Sequence, residues 1–259
     1  MSQSQGPVRT RRVAAMIADA LRERILDGDL ADGDLLPTQD ALMVDFQVSG
    51  PSVREALRIL ETEGLVSVRR GNPGGSIVHR PRSHDAAYMF ALVLQSRQVD
   101  LTDVADALRM LEPDAVRLCA ERADRQDAVV PDLRRANRDL DRATEANDVI
   151  AGSAAGREFH ELLVSRCGSE TLIVVIGALE ELWSAHEHRW AEGMHDRGQE
   201  PDQERSRLSV RDHDRLIDLI EAGDAEAASD FARQHLLLAQ TYALSLGGDV
   251  PIRAKNMRS

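Results

Sequence analysis

At Gly64 the hydrophobic pattern changes period, and no other feature of the chain constrains its fold as much. Before that point Val53, Leu57 and Leu60 recur at helical spacing, and Gly64 stands where a helix C-cap belongs. After it, Leu65-Val66-Ser67-Val68-Arg69-Arg70 alternates as a strand does, Gly71-Asn72-Pro73-Gly74-Gly75 turns, and Ser76-Ile77-Val78 returns. Upstream, Val13, Ile17, Ala20, Leu21 and Ile25 mark one helix face, which stops at Asp27-Gly28-Asp29. Thr38 is placed to cap a second short helix, residues 38–46, with Leu42 and Phe46 inward. A tight turn, Gln47-Val48-Ser49-Gly50, leads into a third helix, residues 50–63. Three helices with a tight turn between the last two and a β-hairpin behind them make a winged helix-turn-helix.

From Arg80-Pro81-Arg82-Ser83 onward the pattern is helical throughout. It predicts helices over 84–97, 101–124, 128–146, 152–167, 170–192, 203–222 and 224–246, with breakers at Gly168-Ser169, Glu200-Pro201-Asp202 and Gly223-Asp224. The expected fold is therefore mainly α: residues 1–80 as the winged helix-turn-helix, 81–96 as linker and first bundle helix, 97–246 as an all-α bundle, and 247–259 as a disordered tail. Aromatic residues make up 3% of the chain, so its cores must be built from Leu, Ile, Val and Ala, which suits packed helices. No uncharged apolar run reaches the roughly 18 residues of a membrane span. The basic N-terminus lacks the apolar core of a secretory signal. Cys119 and Cys167 lie far apart without a CxxC pattern, as expected of reduced core thiols in a cytoplasmic protein.

The net charge of −12 argues against nucleic-acid binding until it is divided. Residues 1–80 hold ten Arg and eleven Asp or Glu, so most of the acidity belongs to the bundle. DNA binding then requires the arginines to share a face, helped by helix N-termini and backbone amides. Arg54 and Arg58 are one turn apart on the third helix, near an N-terminus with Pro51 in its first turn and Ser49 or Ser52 as cap. Arg69 and Arg70 precede a glycine-rich tip that lets backbone approach the sugar-phosphate chain. The candidate DNA contacts are Thr38, Gly50, Pro51, Ser52, Arg54, Arg58, Arg69, Arg70, Asn72 and Gly74.

In the bundle, His160 sits with Phe159, Leu163 and Val164; His213 precedes Leu216 and Ile217; His235 lies between Phe231 and Leu238. Each is on the apolar face of a different helix. Three imidazoles facing one interior can converge on a divalent metal such as Zn or Ni, or on an anion. Arg109 sits near the inner face of its helix, where its guanidinium needs Glu112 or an effector carboxylate as partner.

The stretches Gly33-Asp34-Leu35-Leu36-Pro37-Thr38 and Val48-Ser49-Gly50-Pro51-Ser52-Val53-Arg54-Glu55-Ala56-Leu57-Arg58, running on to Glu63-Gly64-Leu65-Val66, resemble the GntR family of bacterial regulators. Arg109-Met110-Leu111-Glu112, Glu158-Phe159-His160, His213 and Glu221-Ala222-Gly223-Asp224 through His235-Leu236 resemble the FCD ligand-binding domain of its FadR subfamily. The resemblance implies a homodimeric transcription regulator, in the first place a repressor, whose binding to double-stranded operator DNA is controlled by a small-molecule effector such as an organic acid. It matches His160, His213 and His235 to three metal-ligating histidines, which with Arg109 form the implied effector site. Three positions depart from the pattern: Asp40 and Gly50 replace arginines that face DNA, and Gly156 replaces the acidic metal ligand. Two other readings compete. A metal-dependent enzyme would use the three-histidine site to activate water, but no acid/base partner at defined spacing accompanies it. A helical interaction protein that no longer binds DNA would explain Asp40 and Gly50.

Overall fold

The computed structural model describes residues 6–69, 75–196, 203–247 and 251–257. It divides into two compact units, Met1–Pro81 and Arg82–Ser259.

The first unit contains α1 (Gly6–Leu26), α2 (Gln39–Asp45), α3 (Gly50–Thr62), β1 (Val66–Arg69) and β2 (Gly75–Val78). Helix α1 lays Ile17, Leu21 and Ile25 against Val53, Ala56 and Leu60 of α3, and Leu42 of α2 completes a fully dehydrated core. The short α2 is held at its start by Thr38, whose Oγ1 accepts the Ala41 N–H at 3.3 Å. The chain leaves α2 through Gln47 at φ 53° and leaves α3 through Gly64 at φ 76°. The latter is the left-handed geometry that favours glycine at a helix end. Strands β1 and β2 pair antiparallel in the register Val66↔Val78 to Arg69↔Gly75. Leu35, in the segment before α2, adds a single antiparallel bridge to Ile77, so the hairpin has a third edge that alternation alone does not reveal.

The second unit is the expected bundle: α4 (Ser83–Ser96), α5 (Leu101–Glu121), α6 (Arg125–Ala128), α7 (Val130–Glu145), α8 (Val149–Ser165), α9 (Glu170–Asp196), α10 (Gln203–Ala222) and α11 (Ala225–Gly247). Its core is mostly aliphatic: Leu108, Leu133, Leu163, Ile176, Leu216, Ile217 and Ile220 are fully buried, together with Phe159, and Trp183 is buried among them. Cys119 and Cys167 are free thiols inside it, and burial pushes the Cys119 thiol up to about 12, which keeps it protonated and unreactive. Among the described residues no helix is long and apolar enough to cross a membrane.

Two expectations need correction. The helix expected over 101–124 ends at Glu121, and the one-turn α6 intervenes before α7. The tail is also not wholly disordered. Pro251 bridges to Asp100, Ile252 N–H donates to Val99 O (3.2 Å), and Ala254 N–H donates to Gln95 Oε1 (2.8 Å). Ile252, Ala254 and Met257 are buried, the last two in a terminal 3-10 turn. Three small apolar contacts spaced among Arg253, Lys255 and Asn256 have no period to detect, yet they cover apolar surface that α4 and α9 would otherwise leave wet.

Candidate effector site and nucleic-acid interface

Helices α8, α10 and α11 each bring one histidine to a common point. Ligating atoms of His160, His213 and His235 all lie within 4.8 Å of one another. His213 Nε2 and His235 Nε2 are 3.2 Å apart. Two nitrogens bound to one ion at about 2.0–2.1 Å stand about 3.0–3.4 Å apart, so this spacing fits a shared metal. The rings are held from behind. His160 donates its Nδ1–H to Glu112 Oε1 of α5 at 2.6 Å, and His235 donates its Nδ1–H to Asp212 Oδ2 at 3.2 Å. A carboxylate on Nδ1 fixes the tautomer and leaves Nε2 as the donor. The His213 ring lies flat on Phe159, 3.8 Å between centroids and 4° from parallel. Its Nδ1 is buried with no hydrogen-bond partner.

Burial sets the charge states here. It holds His213 well below the usual histidine range, with His235 and His160 adding repulsion. His235 is lowered for the same reason, its desolvation outweighing the Asp212 hydrogen bond. Neutral imidazoles are the form that binds metal. On the acidic side, burial pushes the Glu112 carboxyl up to about 7. It also raises Glu180 of α9 well above the carboxylate range, with the Glu112 charge as second cause. The donor set can therefore coordinate a metal ion.

The histidines line a cavity of ≈ 220 Å³. Gln203, Arg205, Ser206, Ser209 and His213 of α10 line it, and Gln203 and His213 are ten residue steps apart, about 15 Å at a helical rise of 1.5 Å. Helix α8 faces it with small residues, Gly152, Ser153 and Gly156; α9 contributes Glu180, Trp183 and Glu187; Thr144 comes from α7 and Gln240 from α11. Thr144 Oγ1 and Gln240 Oε1 are buried there with no hydrogen-bond partner, so they are free to bind water or ligand. Arg157 and Arg205 supply positive charge along the wall.

Arg109 is not brought to this cavity. It pairs with Asp106 on its own helix, while Glu112, the partner expected for it, is engaged with His160. Sequence reasoning offered Glu112 as a partner for Arg109 rather than for His160, named Phe159 only as a neighbour of His160, and gave no role to Asp212, Glu180 or Gln240. A usable signal existed for Glu112, a carboxylate on the apolar face that carries Leu108, Ala115 and Cys119. Asp212 gave none beyond its adjacency to His213.

On the first unit, Arg54 and Arg58 project from α3 into solvent, and Arg58 Nη1 is 4.0 Å from Glu55 Oε2. Pro51 is exposed in the first turn. Ser52 and Gly50 are buried, and Ser49 is the N-cap residue of α3, without a side-chain cap bond. A Cβ on Gly50 would meet Gln39 Nε2 at 3.2 Å and Arg54 Nη1 at 3.3 Å: the Arg54 side chain roofs the position where the resemblance expects another arginine. Thr38 and Arg69 are exposed. Arg70, Asn72 and Gly74 lie outside the described residues.

Comparison with known proteins bears on both units. Residues 103–238 match the FCD domain, and residues 13–74 match the bacterial regulatory proteins of the gntR family. The Uxu operon regulator of Haemophilus influenzae is 28% identical over 233 residues, 87% of this chain and 79% of that protein. The HTH-type transcriptional repressor NanR of Cronobacter sakazakii is 26% identical over 250 residues, 91% and 86% of the two chains. The solved Streptococcus agalactiae GntR structure shares the fold with a TM-score of 0.66 at 21% identity, over 88% of this chain and 99% of that one.

Proposed function

Because the chain belongs to the GntR family of DNA-binding transcription regulators and carries its FCD effector domain, we propose that it is a homodimeric repressor whose hold on a palindromic operator is controlled by a carboxylate effector bound at a divalent metal. The observation that carries this reading is the cavity: three clustered imidazoles line a space sized for a small organic molecule. The metal would be held by His160, His213 and His235, and would supply a Lewis-acidic, positively charged anchor for a carboxylate. Arg157 and Arg205 add charge of the same sign. On the DNA side, Arg54 and Arg58 have the exposure and spacing to reach base edges and phosphates from a recognition helix. The repressor sign is supported by the relative from Cronobacter sakazakii, which is named a repressor. A dimer is supported by α4, which exposes Met89, Phe90, Leu92 and Val93, more contiguous apolar surface than a lone helix face needs.

The test is a mobility-shift titration of the full chain against DNA from its own upstream region, at fixed salt, with Zn2+ or Ni2+ and a panel of organic acids. A shifted complex whose stability one acid changes supports the reading. Binding that no acid alters in the presence of metal contradicts the effector half, and no complex at micromolar protein in low salt contradicts the operator half.

A further inference from the structure

Thr144 of α7 and Gln240 of α11 line the cavity, are 7% and 3% exposed, and leave Oγ1 and Oε1 without a hydrogen-bond partner. Dehydrating a hydroxyl or an amide oxygen without pairing it costs free energy, so each atom is suited to a partner from outside the chain. A threonine inside a helix ordinarily donates its hydroxyl to a carbonyl three or four residues back. Thr62 does so in this chain, to Arg58 O at 2.9 Å, and Ser165 does the same to Leu162 O at 2.9 Å. The Thr144 hydroxyl is left for the cavity instead.

Both groups stand away from the histidines. Gln240 follows His235 by five residues on α11, about 7.5 Å of helix. Thr144 is tied to the first turns of α8, because a Cβ on Gly152 would lie 4.0 Å from the Cβ of its neighbour Ala143. Gly152 precedes His160 by eight residues, about 12 Å. Charge narrows the chemistry that fits there. A carboxylate has no proton for Gln240 Oε1. An ammonium has one, but Arg205 lines the same cavity, Asp148 is engaged in capping α8 at Ala151 N–H (3.0 Å), and burial raises the Glu187 carboxyl of α9, which weakens it as a counter-ion. A neutral hydroxyl both donates and accepts, and so suits both groups.

We propose that Thr144 and Gln240 form a hydroxyl-reading subsite, which admits a polyhydroxylated acid and rejects its deoxygenated analogue. This rests on the reading that the effector is a carboxylate, and adds what the remainder of the effector carries. An alkyl tail would seal both polar atoms away from water without partners, whereas a hydroxylated tail pairs them.

The experiment is calorimetry on the full chain loaded with Zn2+. The probes are gluconate, hexanoate and ε-aminocaproate, equal in carbon count and in carboxylate, and sorbitol, a neutral polyol. Gluconate should bind, and hexanoate should be weaker by roughly 5- to 150-fold for each polar atom left unpaired. Thr144→Val and Gln240→Met keep the approximate shape of each side chain and remove the polar atom. Each should weaken gluconate by a factor in that range and leave hexanoate unchanged or tighter, opposite responses that a general loss of folding does not produce. Without ligand, neither variant should unfold at a lower temperature than the unmodified chain; one that does has lost a partner within the chain, which overturns the premise. Hexanoate that matches gluconate, or variants that weaken both alike, would overturn the subsite and leave the carboxylate reading standing. So would tighter binding of ε-aminocaproate, which would assign the region to a cation. Sorbitol that matches gluconate would keep the subsite and defeat the carboxylate reading, and no binding by any of the four probes defeats both.

Discussion

Glu112 is 1% exposed, binds His160 through Oε1, and lies against the buried Glu180 carboxyl. Its carboxyl is pushed by burial from the ordinary 4.5 to about 7. The folded chain thus keeps the proton to a higher pH than the unfolded chain does. The stabilisation is complete below about 4.5 and lost as pH rises through about 7. Glu112→Gln keeps the shape and removes the titration, so its stability relative to the unmodified protein should rise between pH 4.5 and 7. Urea denaturation of both proteins across that range measures the difference, and parallel pH profiles would contradict the assignment. Arg54 is the opposite case, exposed and charged on the face of α3. Arg54→Ala should weaken operator binding by about 1–3 kcal/mol if it reads a base, and change unfolding by less than about 0.5 kcal/mol. Unchanged affinity in a filter-binding titration would remove it from the interface.

At the scale of elements, α2 has seven residues and little besides its cap and Leu42 to hold it. Loss of the Thr38 hydroxyl should cost about 0.5–2 kcal/mol. Because α2 seats α3, Thr38→Ala should weaken DNA binding through stability, so the affinity loss should shrink as temperature falls; a temperature-independent loss would instead mean direct contact. The helices were legible because their signals are local. Thr38 before a periodic run, Pro51 at a first turn and Gly64 at a period change are each readable within four residues. Helix α6 and the 251–257 segment were not, because the single turn Arg125–Ala128 buries nothing of its own and Ile252, Ala254 and Met257 acquire apolar neighbours only from distant helices.

Among the described residues the two units have separate main cores, and a small further cluster of Leu140, Ala155 and Val210 lies within the second. Each should unfold as its own cooperative unit, giving two calorimetric transitions. Chelator treatment should lower the transition of the bundle and leave the other in place, by RT ln(1 + [metal]/Kd), about 2.7 kcal/mol at a hundredfold excess over Kd. A shift of both transitions, or of neither, would place the metal elsewhere or nowhere. The amino-acid sequence by itself determined the class of both units, the order of their helices and the three histidines, since each depends on residue type and spacing along one helix. Tertiary packing alone decided that Glu112 serves His160 rather than Arg109, that Asp212 steadies His235, and that the position of Gly156 opens into a cavity. Those facts concern side chains from different helices meeting across tens of residues, and a one-dimensional period carries no information about which faces meet.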